Sequence, residues 1–209
     1  MAKIYVAAVD CSFNNCGWSI IGYDTVKKQT KIENAGLIDN SEKIVSKKDK
    51  SVDDLLRSQR LYEGIVNEVV SEYTALTTKK AFALEIPGGS QSSRAASCLG
   101  MARGVLGSVI TEAINQQVTK HCIVLIKPTE VHKKATGSNT ATKEQIMDYV
   151  CKKYESQIGK KVLKNRATYT INCDPGLLDG CFEFNKGQFE HIADSLVIAE
   201  LGLERLMKS

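Results

Sequence analysis

Asp10, Glu85, His191 and Asp194 are the side chains in this sequence whose types and placement could carry chemistry. Asp10 closes one apolar run and Glu85 closes another. Asp194 falls in the first turn of the last helical pattern, with His191 three residues earlier on the same face. A carboxylate at the end of an apolar strand is costly unless it is paired or holds a metal, and two such strand ends in one sheet can lie side by side. Hard divalent cations such as Mg²⁺ take a few carboxylate oxygens together with water and substrate phosphate. Two such ions could activate a water and stabilise the leaving oxygen in phosphodiester hydrolysis, with His191 ligating one ion or orienting its water. Taken singly, each residue also has a plainer reading. Asp10 is a turn or cap residue, Glu85 starts a loop before Pro87-Gly88-Gly89, and His191 with Asp194 marks a helix N-terminus carrying a favourable acid.

The elements that must position these residues are read from periodicity. Three strand-like segments open the chain at 4–10, 17–23 and 30–37, separated by short polar stretches, and imply an antiparallel meander. Val52, Leu55, Leu56, Tyr62, Ile65, Val66, Val69 and Val70 recur at helical spacing and predict one amphipathic helix. A buried strand follows at 81–86, then a helix at 93–116. Gly100, Gly104 and Gly107 in that helix cost propensity and are expected to permit close backbone packing. A strand at 122–126, a short helix from Pro128 to Lys134 broken at Gly137, a helix at 141–154 and a closing helix at 191–207 complete the reading. The last helix carries Ile192, Leu196, Ala199 and Leu203 on one face, while 156–190 shows no clear period. Antiparallel strands followed by helix–strand alternation define an α/β class: a mixed sheet, three antiparallel strands then parallel ones, flanked by helices.

Composition narrows the setting. With 209 residues and 43% hydrophobic content the chain can bury an ordinary core as a single domain over 1–209. Its apolar runs are too short to span a bilayer, and Met1-Ala2-Lys3 leads into a strand-like segment instead of a signal peptide. The 7 cysteines are odd in number, scattered and without a C-x-x-C pair, which argues against a disulfide framework or structural zinc. Reduced thiols in an intracellular, cytosol-like compartment are the expectation. A formal charge of +4 is too small to establish a nucleic-acid partner, although lysines gather at 43–50, 127–134 and 152–164.

The spacing of four blocks resembles RuvC-type Holliday junction resolvases. Val9-Asp10 followed by Gly17-Trp18 is similar to that family's opening strand, with its aspartate and the glycine seven residues on. Glu85 followed by Leu99-Gly100 and Ala102-Arg103-Gly104 is similar to its glutamate and helix signature. Pro128, Val131, Gly137 and then Ala141, Lys143 and Gln145 resemble a third block. His191-Ile192-Ala193-Asp194-Ser195-Leu196 resembles the block that supplies the last metal ligands. Each block is weak alone, and the four in order cover most of the chain.

The resemblance implies a ribonuclease H-like fold and a metal-dependent endonuclease. Its centre would be Asp10, Glu85, His191 and Asp194, holding two Mg²⁺ ions, with Mn²⁺ as a substitute. The implied partner is branched DNA, especially four-way junctions, nicked in pairs by a homodimer. Lys133, Lys134 and Lys143 would hold the DNA backbone, and Arg94 is a candidate where relatives place an aromatic wedge after the glutamate. The chain departs from the family at that wedge, at the last pair, which is histidine with aspartate instead of two aspartates, and in an insertion around 156–190. This insertion contains Tyr169, Phe182, Phe184 and Phe189 and reads as a packed surface loop. A viral or phage origin, which so divergent a pattern suits, would place the protein in a host cytoplasm.

Three rivals stand beside this reading. A flap or other branched-DNA nuclease would share the fold and differ in loop geometry. An actin-like ATPase or small-molecule kinase also begins with a strand-end aspartate, but it needs a second glycine-rich phosphate loop that this sequence lacks. A non-catalytic DNA-binding domain would be marked by loss of one acid, and none is lost here.

Overall fold

The computed structural model describes residues 3–45, 49–75, 80–86, 88–89, 92–116, 123–163, 166–173 and 180–208. Strands β1 (Lys3–Cys11), β2 (Asn15–Asp24) and β3 (Gln29–Asp39) form the meander, and β4 (Lys80–Glu85) and β5 (Ile123–Ile126) add in parallel on the other side of β1. The order in this five-stranded sheet is β3-β2-β1-β4-β5. Cys122, expected in the last strand, lies outside the described residues, as does Pro87 after Glu85.

Both faces of the sheet are covered, so its central strands are apolar on both sides. Val6, Ala8, Ala81 and Ala83 pack under helix α6 (Lys186–Lys208), while Ala7, Val9, Phe82 and Leu84 pack under α1 (Lys50–Ile65) and α3 (Ser93–Asn115). Helix α6 rides close: a Cβ added at Gly202 would stand 2.8 Å from Ala83 Cβ and 3.0 Å from Val6 Cγ1. Ile192, Leu196, Ala199 and Leu203 are all buried against the sheet, as their spacing predicts.

Four expectations are corrected. The helix read over 52–70 runs as α1, then a π-helical turn Val66–Val70, then α2 (Ser71–Ala75). Ile65, Val69 and Val70 are buried as expected, but Val52 and Leu55 are 50% and 69% exposed. The start of α1 buries Asp53, Asp54 and Arg57 instead. Asp53 accepts from the Ile44 and Val45 N–H groups at 2.7 and 3.2 Å. Arg57 donates to the Asn40 carbonyl at 2.6 and 2.9 Å and to Asn14 Oδ1 at 2.7 Å, with its guanidinium over the Phe13 ring. A polar network thus ties α1 to the β1–β2 turn, and apolar periodicity cannot register it.

The three glycines of α3 do not serve close packing. Among the described residues, a Cβ at Gly100, Gly104 or Gly107 would meet no atom within 4 Å, and all three lie on the exposed face.

The stretch expected to be a surface loop forms a second, three-stranded antiparallel sheet: β6 (Ile158–Leu163), β7 (Arg166–Asn172) and β8 (Cys181–Asn185). Its aromatics do cover core, since Tyr169 stacks on Phe189 at 4.1 Å and both are buried. Ile158 and Ile171 join the cluster beneath α6, so this sheet extends an existing core. The alternation is hard to read because β6 follows the buried Ile158 with Gly159, Lys160 and Lys161.

The last helix begins at Lys186, five residues before the expected start. Asn185 Oδ1 accepts from the Gln188 N–H while Gln188 Oε1 accepts from the Asn185 N–H, both at 3.0 Å, a reciprocal capping box. His191 and Asp194 therefore stand beyond the first turn, and the N-terminal dipole is not what holds Asp194.

Helices α4 (Pro128–Thr136) and α5 (Lys143–Lys153) lie between β5 and the second sheet. Gly137 ends α4 in the left-handed region at φ 78°, where a side chain would be strained. Thr142 and Gln145 cap α5 reciprocally.

Candidate active site

Register brings the first two acids together. Val9 pairs with Leu84 in the parallel β1–β4 ladder, so the next residues, Asp10 and Glu85, are neighbours at the carboxyl ends of adjacent strands. Val9 and Leu84 point into the α1–α3 core, so strand alternation turns Asp10 and Glu85 toward α6. There His191 Nδ1 stands 3.0 Å from Asp10 Oδ2. Gly17, the cross-strand partner of Asp10, makes this approach possible: a Cβ there would lie 2.2 Å from the His191 backbone carbon and oxygen.

Charge couples the four residues. Burial, followed by the charges of Asp10 and Asp194, pushes Glu85 up to about 8. Burial, followed by the charge of Asp10, pushes Asp194 up to about 7, with Lys143 and His191 opposing the rise and Glu190 adding to it. Lys143 also opposes the rise at Glu85, so its ammonium lies within the field of both acids. A cluster of partly buried carboxylates that resist ionisation together is short of positive charge.

The donor types are those a hard divalent cation takes. Among the described residues, no group of three or more His, Cys, Asp and Glu side chains is arranged to hold a metal ion as it stands. Asp10 instead spends an oxygen on His191.

The cationic candidates separate. Lys143, at the start of α5, favours the ionised form of both acids and pairs with Glu190 at 3.2 Å. Lys133 is exposed on α4, and Lys134 on the same helix pairs with Glu204. Arg94 is engaged by a two-pronged pair with Asp54, whose Nη2 arm is 2.6 Å long. Sequence reasoning misses Glu190. Nothing in its spacing signals a role, because its partner sits on another helix.

No protein-family model matches the chain, and no curated protein matches it. Solved structures do. RuvC from Thermus thermophilus is similar with a TM-score of 0.58 at 16% identity, over 97% of this chain and 96% of that one. T. thermophilus RuvC in complex with Holliday junction substrate is similar with a TM-score of 0.52 at 15% identity, over 93% and 90%. A fowlpox virus resolvase with Holliday junction DNA gives 0.46 at 13% identity, over 97% and 99%.

The fold is ribonuclease H-like: a mixed sheet of three antiparallel strands continued by parallel ones, with helices on both faces. Within that class it is the arrangement seen in RuvC, followed nearly end to end. Among the described residues no helix is long and apolar enough to cross a membrane.

Proposed function

We propose that the chain is a structure-selective DNA endonuclease that resolves four-way junctions by metal-dependent phosphodiester hydrolysis, making paired nicks as a homodimer. The observation that carries this reading is the convergence of Asp10, Glu85, His191 and Asp194, from three separate parts of the sequence, on one end of the sheet. The RuvC arrangement of the fold supports it, since a T. thermophilus RuvC structure holds a Holliday junction substrate.

Asp10, Glu85 and Asp194, with His191, are the residues that would hold two Mg²⁺ or Mn²⁺ ions. Bound there, the ions would supply a nucleophile from water and stabilise the leaving oxygen of an in-line displacement. The protein's own part begins with Asp10, which meets His191 Nδ1 through Oδ2 and would offer Oδ1 to a cation, while His191 would ligate or orient water from α6 through Nε2. Lys143, whose charge favours ionisation of both acids, would offset negative charge that would otherwise repel a substrate phosphate. Lys133 and Lys134 would hold the DNA backbone without reading sequence. One centre cuts one strand, so resolution of a junction needs two copies related by a two-fold axis.

The test is cleavage of a labelled mobile four-way junction beside a flap and a linear duplex, in Mg²⁺. Paired, ligatable nicks confined to the junction support the proposal. Cleavage of the flap alone moves the substrate, and ATP hydrolysis with no DNA cleavage replaces the proposal by the actin-like reading.

A further inference from the structure

Helices α5 and α6 are joined at their starts by two ion pairs of opposite sense. Lys143 of α5 meets Glu190 of α6 at 3.2 Å, and the next residue, Glu144, meets Lys186 at 2.7 Å. Lys186 and Glu190 are four residues apart and share a face of α6, so the two helices present complementary charge patterns to one another. Exposed pairs of this kind contribute little to folding. The attachment of α5 to α6 rests instead on Ile146, Met147 and Val150, all buried in the cluster beneath α6. The pairs are thus not what fixes α5 on α6, and the position of Lys143 bears on the acids instead.

A lysine is a mobile point charge on a four-carbon stem, and the Lys143 side chain is 52% exposed. Its ammonium lies in the field of two partly buried carboxylates, Glu85 and Asp194. Among the described residues, however, the acid it pairs with is Glu190, whose side chain is 21% exposed. Glu190 immediately precedes His191, so its anchor moves with the site.

From this geometry we infer that Glu190 is a positioning residue: it parks Lys143 beside the acidic centre and prevents the ammonium from entering it. Without that acceptor, the ammonium would settle among the carboxyl groups of Glu85 and Asp194, whose ionisation it favours, and stand where a divalent cation belongs. With it, the ammonium stays available to a phosphate and the acids stay available to a cation.

This inference rests on the metal-binding reading above, and the experiment separates the two. Mn²⁺ affinity is measured by titration calorimetry, without DNA, for wild type, Glu190→Gln, Lys143→Gln and the double variant. Thermal melting of each serves as a folding control. Glu190→Gln is expected to weaken Mn²⁺ binding about fivefold or more. In the Lys143→Gln background the same change should have little effect, because the competing ammonium is gone. Glu190→Asp should recover part of the affinity. An equal loss in both backgrounds would show that Glu190 acts only through its own charge, and no loss in either would show that it does not position Lys143; each overturns the inference. Absence of Mn²⁺ binding by folded wild type would overturn the metal reading, and the inference with it.

Discussion

Gly17 on β2 lies against the backbone of His191 on α6, so close that a Cβ at Gly17 would stand 2.2 Å from the His191 carbonyl oxygen. Backbone cannot swing aside as a side chain can, so any side chain at position 17 must push α6 away from the sheet. Gly17→Ala is expected to cost about 1–3 kcal/mol of stability through overpacking. It should also cost at least about a hundredfold in junction cleavage, since His191 and Asp194 move with the helix. Chemical denaturation and single-turnover cleavage measure the two effects. Full activity in Gly17→Ala would show that the approach of α6 to β2 does not set the site.

Gly104 behaves oppositely. It lies on the exposed face of α3, and among the described residues nothing comes within 4 Å of the place a methyl group would take. Gly104→Ala should therefore stabilise the helix by about 1 kcal/mol, read as a rise in Tm of about 2–4 °C. A fall in Tm that grows with dilution would show that a second copy covers this face.

Glu85 is held as an acid by burial and by the charges of Asp10 and Asp194, up to about 8 from an ordinary value of 4.5. Between those values the folded chain holds a proton that the unfolded chain has released. The contribution of Glu85 to stability in EDTA should therefore be fullest below about 4.5 and be lost as pH rises through about 8. Glu85→Gln removes the penalty while abolishing cleavage. The Tm gain of Glu85→Gln over wild type should grow from pH 5 to pH 8.5 in EDTA and shrink in Mn²⁺. A gain independent of pH would place Glu85 outside the charged cluster.

The hydrogen bonds from Arg94, and then its charge, hold the Asp54 carboxyl below its ordinary range. A depressed carboxyl stabilises the fold above its unfolded value and loses that contribution as pH falls through the folded one. Arg94→Ala should cost about 1 kcal/mol or less near neutrality, given the exposure of the arginine. The difference from wild type should vanish in strong acid. If Arg94→Ala leaves neutral stability intact but weakens junction binding, Arg94 acts on DNA and not on Asp54.

Lys133 has an exposed side chain, whereas Lys134 is engaged by Glu204. For DNA binding measured across salt in Ca²⁺, Lys133→Gln should lower the slope of log K against log salt by about 0.9. Lys134→Gln should lower it less. Equal slopes for wild type and Lys133→Gln would remove Lys133 from the phosphate contacts.

The sheet was legible in the sequence because its strands alternate with short polar turns and carry near-continuous apolar runs. The acids were legible because Asp10 and Glu85 end such runs. What stayed hidden was polar or non-periodic. Asp53 and Arg57 are buried by hydrogen bonds that no hydrophobic pattern reports. The weak alternation of β6 concealed the second sheet. The start of α6 could have been read, since Asn185 and Gln188 have capping-box spacing. The pairing of Lys143 with Glu190 could not, because it depends on how α5 settles on α6.

The most direct test of a single metal-dependent centre is cleavage of one labelled four-way junction by wild type and by Asp10→Asn, each in Mg²⁺, in Mn²⁺ and in excess EDTA. The expected result is paired nicks from wild type in either metal, lost in EDTA and lost in Asp10→Asn although the variant still binds the junction. Cleavage that survives EDTA or Asp10→Asn, or tight binding by wild type with no cleavage in either metal, would contradict it.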